Sequence, residues 1–348
     1  MKMNIKVKQD TKLDFKDVLI EPREASKSLT RKDINIEIDW LDTTVHPIAV
    51  ANMTSTGTYK IAKILTPMRF FTFIHKEYKL EEHLQHLQEI EDRRYIAITS
   101  GVRPKDREKT IKIISHFPDV GMINIDIANV YANVEGMVET IKQFRKEFPH
   151  LKICAGNIAT PTVIKKLAMA GANLVKVGVG SGAACKTRSE VGVGVPQLSA
   201  IMDCYPEATK FGLDIISDGG CITPGDVAKA IGAGAKIVMI AGMVSGSDEC
   251  DNQIEIDGKH YVNLYGLGST KMYNKTNPDE MDYKPNEGRD LLIPCKGPIK
   301  RILKQLQGGL RSTCTYVGAE HINRLYELCT FVKVNNQINN SLERYEND

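Results

Sequence analysis

Eight short apolar runs recur along the chain, at residues 47–51, 70–74, 96–99, 122–125, 153–155, 174–177, 215–217 and 237–240. Continuous Val/Ile-rich runs of this length fit strands buried on both faces, as in parallel sheets covered by helices. The segments between them, such as 161–170 and 224–231, space their apolar residues as one face of a helix. Eight strand–helix units in succession predict an α/β fold, a closed (β/α)8 TIM barrel. A doubly wound open sheet is the competitor. It would show a G-x-G-x-x-G turn early in the chain, and none stands there. A length of 348 residues suits one such barrel, so the whole chain, 1–348, is read as a single domain.

Two stretches exceed a bare barrel. Residues 253–266 alternate around Asp257-Gly258, a turn pair favoured in hairpins. Residues 268–296 are polar, with Pro278, Pro285 and Gly288, and read as a long mobile loop. Together they define a flap at about 253–296, inserted after the eighth strand. From Ile299 onward apolar residues return at helical spacing, predicting a helical extension that closes the barrel. The polar end, 335–348, is expected to fray.

Charge and cysteine usage narrow the class further. A net charge of +3 with scattered basic residues argues against a nucleic-acid partner. No run approaches the ~20 apolar residues of a membrane span. The eight cysteines form no C-x-x-C pair and no zinc-like Cys/His spacing, and the N-terminus carries no apolar signal region. The expectation is a reduced, cytoplasmic chain that keeps one or two cysteines for chemistry.

In a barrel the active site lies at the C-terminal ends of the strands. The unusual residues cluster there: Asn52-Met53, His75-Lys76, Asp126, Gly156-Asn157, residues 178–182, Asp218-Gly219-Gly220 and Ala241-Gly242-Met243. The densest is 176–188, KVGVGSGAACKTR. Its glycines allow sharp turns and close backbone approach to a ligand, and exposed carbonyls there can hold a monovalent cation. A cysteine on such a loop, beside Arg188 and exposed amides, has the setting of a thiolate nucleophile. The plainer alternative is a glycine-rich turn with an inert core thiol. The glycines at 219–220 and 242, after the last two strands, suit a phosphate, and Asp218 suits ribose hydroxyls. Taken singly, ordinary turns explain each equally well. Glu287 is an ordinary solvated charge unless the flap folds over Cys185. His75 has no second ligand at metal spacing.

The segments GVGSGAACKTR (178–188), LDFKDVL (13–19), SDGG (217–220) and GVGVPQ (192–197) resemble the IMP dehydrogenase/GMP reductase family, over roughly residues 12–334. Within it the chain resembles the reductase branch. It has no room for an inserted CBS pair, and no Arg-Tyr dyad stands between 272 and 295. Asn286-Glu287-Gly288 is similar to the reductase's Ser-Glu-Gly, and LRSTCTYVGA (310–319) to its C-terminal signature.

The resemblance implies a purine-salvage oxidoreductase. Cys185 would attack C2 of GMP, giving a covalent thioimidate, and NADPH would reduce it to IMP, with Thr187 and Glu287 as proton relay. It implies that GMP meets Asp218, Gly219, Gly220, Ala241 and Gly242, with Gly268, Ser269, Lys284, Asn286 and Gly288 from the flap. NADPH would meet Lys76, Asp126, Ile127, Ala128 and Tyr283, with Ser312, Thr313, Cys314 and Thr315, which a neighbouring subunit can supply. Carbonyls of Gly180, Gly182 and Cys185, beside Arg188, would hold potassium, and the assembly would be a homotetramer. The alternatives are a dehydrogenase lacking CBS domains and an inactive nucleotide-binding barrel. The chain departs from the family pattern at Val130, Lys186, Ala241, residues 267–269 and residues 284–286.

Overall fold

The computed structural model of the chain describes residues 7–40, 42–266, 268–270 and 285–335. Three short strands come first: β1 (Val18–Ile20), β2 (Ile38–Trp40) and β3 (Thr43–Val45). Each of the eight apolar runs then forms a strand. They are β4 (Ile48–Val50), β5 (Phe71–Ile74), β6 (Ile96–Ser100), β7 (Met122–Asp126), β8 (Lys152–Ile158), β9 (Leu174–Val177), β10 (Asp214–Asp218) and β11 (Ile237–Ile240). They close a parallel TIM barrel in the order β10-β11-β4-β5-β6-β7-β8-β9. Closure runs through β11 and β4, with Val238 opposite Ile48, and through β9 and β10, with Leu174 opposite Asp214.

Burial on both faces explains the sequence pattern. Ile48, Ala49 and Val50 are all fully buried, between the barrel core and the surrounding helices. The helices supply the outer layer with one apolar stripe each. Val134–Glu147 buries Met137, Thr140, Ile141 and Phe144, three or four residues apart. Asn133 starts it, its side-chain oxygen accepting from the Gly136 amide at 3.2 Å. Pro224–Gly232 begins with a capping box in which Thr223 and Asp226 satisfy each other's amides.

β8 extends further than its apolar run. Gly156 and Asn157 therefore belong to the barrel wall and do not follow it. The β2–β3 hairpin covers the opposite end of the barrel. Trp40 packs edge-on against Phe71 and donates to Asp214, residues that begin β5 and β10.

The flap is more ordered than a loop reading allows. The hairpin about Asp257-Gly258 forms as expected, from β12 (Gln253–Ile256) and β13 (Lys259–Tyr265). A third strand, β14 (Asp290–Pro294), then pairs with β13 along five positions, from Tyr261 opposite Pro294 to Tyr265 opposite Asp290. The expected helix at the C-terminal end runs Ile299–Tyr316 and packs on Pro224–Gly232. Beyond it β15 (Phe331–Lys333) pairs with β1, tying the two ends of the described chain together.

Candidate active site

The loop after β9 turns back on itself, and the Cys185 amide donates to the Gly182 carbonyl at 3.0 Å. The flap lies directly on this loop. Gly288 forms a β-bridge with Cys185, the Lys186 amide donates to the Glu287 carbonyl at 2.6 Å, and the Arg289 amide to the Ala184 carbonyl at 2.9 Å. This backbone docking carries the Glu287 side chain to the cysteine. The Cys185 thiol donates to Thr187 Oγ1 at 3.1 Å, and Thr187 Oγ1 donates to Glu287 Oε2 at 2.6 Å. Sulfur, hydroxyl and carboxylate form one directed chain, with its acceptor end on the flap.

The other cysteines are unlike Cys185. Burial pushes the Cys154, Cys204 and Cys314 thiols up to about 12 and Cys329 up to about 11, and it raises Cys221 and Cys250 as well. Cys154, Cys204, Cys250 and Cys314 are buried, and Cys221 and Cys329 are half-buried against the core. Cys295 is exposed at the end of the flap sheet. Cys185 is half-buried at the mouth.

Arg188 does not face the sulfur as a free cation. Its guanidinium grips Asp14, with Nη1 2.7 Å from Oδ2, and donates to the Val195 carbonyl at 3.0 Å. It thereby fastens the cysteine loop to the N-terminal segment. The hydrogen bond from the thiol goes instead to Thr187.

The expected nucleotide loops surround the same sulfur loop. Gly219 and Gly220 both adopt positive φ, 90° and 84°. A Cβ on Gly219 would fall 2.8 Å from Ser181 Oγ and 2.9 Å from the Gly182 amide. A Cβ on Gly242 would lie 3.6 Å from Ala183, so the loop after β11 borders the cysteine loop as well. Ala241 accepts the amides of Val244 and Ser245 and turns the chain. From the flap, Gly288 donates to the Gly268 carbonyl at 2.9 Å and packs on Ser269, while Asn286 bonds Thr270 at 3.0 Å. Lys284 and Tyr283 lie outside the described residues.

Behind these loops a buried charged network crosses the mouth. Lys176 Nζ donates to Asp126 Oδ1 at 3.0 Å and to Asp218 Oδ2 at 3.3 Å. Asn52 donates to Asp126 Oδ2 at 2.6 Å, and Asn157 donates to Asp218 Oδ2 and the Gly178 carbonyl, both at 2.8 Å. Burial alone would raise the Asp126 carboxyl, but the Lys176 and Lys76 ammonium groups and the Asn52 amide hold it below its ordinary value. The Lys76 charge is therefore near enough to act on Asp126. Ile127 exchanges backbone hydrogen bonds with β8, accepting from Asn157 at 3.1 Å, and Ala128 is exposed beside it. Val130 is fully buried in the core.

Residues 312–315 sit elsewhere in the chain, in the last turns of the helix Ile299–Tyr316. The Ser312 hydroxyl accepts from Arg31 Nε at 2.8 Å, and Thr315 lines a shallow depression with Leu29, Thr30, Arg31 and Lys32. The Thr313 and Thr315 hydroxyls bond carbonyls of their own helix. Cys314 is fully buried against the barrel, so its thiol is closed to any ligand. The sequence places Asn52 at a strand end and Lys176 at the head of the glycine-rich segment but points to no role for either, and it does not single out Lys296. A lysine inside a strand buried on both faces was a signal for Lys176. Lys296, whose Nζ donates to the Gly242 carbonyl at 3.1 Å, gave none.

A closed parallel barrel that sets a glycine-rich cysteine loop against a carboxylate-bearing flap defines an enzyme class. The chain belongs to the IMP dehydrogenase / GMP reductase family, whose domain matches residues 12–341. It is 40% identical over 340 residues to the human protein named GMP reductase 2, covering 96% of this chain and 97% of that one. It is 40% identical over 347 residues to human GMP reductase 1, covering 96% and 98%. It is 37% identical over 350 residues to the GMP reductase of Phytophthora infestans, covering 99% and 96%.

Proposed function

We propose that the chain is a cytoplasmic, NADPH-dependent oxidoreductase that converts GMP to IMP and ammonia. The observation that carries this reading is the directed hydrogen-bond chain from the Cys185 thiol through Thr187 to Glu287. The thiol proton moves along it to the Glu287 carboxylate as sulfur bonds purine C2. The same proton then returns through Thr187 to the exocyclic nitrogen, the C2–N bond breaks, and ammonia leaves a thioimidate on Cys185. When bound, NADPH would supply hydride to C2; breaking of the C2–S bond would then release IMP and a Cys185 thiolate, which takes up one proton to restore the thiol. No water activator is needed on this reading, because Glu287 takes the thiol proton and returns it to the departing amine.

Asp218 would orient the ribose, and the amides at Gly219, Gly220 and Gly242 the phosphate. Gly268, Ser269, Asn286 and Gly288, with Lys284, would close over the base. Asp126 and Lys76 fit a cofactor beside them: Lys76 is a half-buried cation at the mouth, and Ile127 and Ala128 border it with apolar surface. The hydroxyls at Ser312, Thr313 and Thr315, beside the cations Arg31 and Lys32, suit the phosphates of the same cofactor in a homotetramer, bound across a subunit boundary. For potassium, the donors at Gly180, Gly182 and Cys185 are backbone carbonyls on a tight turn, the ligand type this ion takes. Arg188, fixed by Asp14, would hold that turn in shape.

The test is direct. Protein, GMP and NADPH are mixed, and cofactor oxidation and ammonia are followed together. One ammonia per NADPH is expected. NADPH left intact while NAD is reduced with IMP would sink the proposal.

A further inference from the structure

Lys176 stands in the middle of β9, in the run Leu174-Val175-Lys176-Val177, and is 2% exposed. An ammonium group there costs several kcal/mol unless it is paired. Burial alone would lower its pKa, and Asp126 and Asp218 together overturn this and raise it. The barrel also makes room for it. A Cβ on Gly156, in the neighbouring strand, would fall 2.6 Å from Lys176 Cβ and 2.8 Å from its carbonyl oxygen, so glycine lets the two strands meet closely where Lys176 enters the barrel.

The two carboxylates that Lys176 holds end different strands, β7 and β10. On the reading above they face different ligands: Asp218 the ribose of GMP, Asp126 the cofactor. Each is also fixed by an amide from a further strand end, Asn157 for Asp218 and Asn52 for Asp126. One buried cation is therefore the joint between two separately anchored acids. Any change in the position or charge of one carboxylate alters the pull of Lys176 on the other. Such a shared element makes the coupling between two ligands reciprocal.

We infer that Lys176 is a positioning residue that couples the nucleotide half of the site to the cofactor half. Its ammonium group is taken up by Asp218 and Asp126, and it sets where they stand. This inference rests on the GMP reductase reading. The wild-type assay with GMP and NADPH checks that reading separately, since its failure would show before any variant is made.

The test compares steady-state constants of Lys176→Met and Lys176→Arg. Methionine keeps the volume and removes the charge. It is expected to raise KM for GMP and for NADPH together, each about tenfold, within the range usual for coupled sites. Arginine keeps the charge and is expected to recover most of both. A rise in only one KM, or unchanged KM with only a lower melting temperature, overturns the inference. So does an equal loss in the Met and Arg variants, which would mark a packing role. Should Lys176→Met not fold, Asp126→Asn decides. Calorimetry of GMP binding without cofactor is then expected to show about a threefold change in Kd, transmitted through Lys176. An unchanged Kd would overturn the coupling.

Discussion

Cys185, Thr187 and Glu287 lie on two different segments, and the role proposed for each can be tested by removing it separately. Cys185→Ala deletes the sulfur but leaves the backbone turn that Gly182 and Gly288 hold. It is expected to abolish turnover while GMP still binds, which calorimetry with GMP alone would show. Measurable NADPH oxidation in that variant would end the nucleophile assignment. Glu287→Gln keeps an acceptor for Thr187 but cannot carry a proton. Loss of general acid catalysis is worth about 10²–10⁴-fold in the ammonia-releasing step. Because the hydrogen-bond chain also reaches the thiol, the hydride half-reaction, followed as NADPH formed from IMP and NADP, should slow as well, though less. Equal losses in both halves would show that the relay does not favour the amine.

At the scale of elements, the flap sheet is the device that delivers Glu287. β14 continues directly from Gly288, and its five-position register on β13 fixes where residues 287 and 288 meet the cysteine loop. Gly288 has no space for a side chain: a Cβ would collide with the Ser269 backbone and lie 2.8 Å from the Gly268 carbonyl carbon. Gly288→Ala should therefore break the bridge to Cys185. A displacement of about 1 Å can cost 10²-fold in rate, and a fall of that order in kcat is expected with the melting temperature nearly unchanged. Wild-type kcat would show that the bridge does not set the reactive geometry. This element also marks the limit of what the sequence discloses. The barrel strands were legible because burial on both faces leaves unbroken Val/Ile runs. β14 was not, because Asp-Leu-Leu-Ile-Pro is short, ends in proline and lies in a polar stretch. β1 and β15 are three residues each and take their stability from pairing across the length of the chain. In the site, the cysteine loop announced itself by its glycines. The docking of Glu287 depended on backbone contacts that no local pattern encodes. Lys176 was hidden as one charge inside an apolar run.

At the scale of the molecule, the barrel separates stability from chemistry along its axis. The C-terminal ends of the strands carry the charged network and the flap; the N-terminal ends are covered by β2–β3. That hairpin is anchored around the rim. Trp40 reaches the starts of β5 and β10, and Thr43 bonds the Tyr95 hydroxyl just before β6 at 3.2 Å. Trp40 is 4% exposed and donates its indole N–H to Asp214 at 3.0 Å. Trp40→Ala removes a large buried ring and leaves the Asp214 carboxylate without this donor, at a cost of about 3–5 kcal/mol in unfolding free energy. None of those contacts touches the mouth, and residues at the N-terminal face of such barrels serve stability. The urea midpoint should fall markedly while KM for GMP and for NADPH stay within about twofold of wild type, consistent with distant sites acting independently. A large change in either KM, measured well below the unfolding transition, would mean that the bottom of the barrel is linked to its mouth. The strands would then transmit strain along their length, and Lys176, midway along β9, would be the first place to look for it.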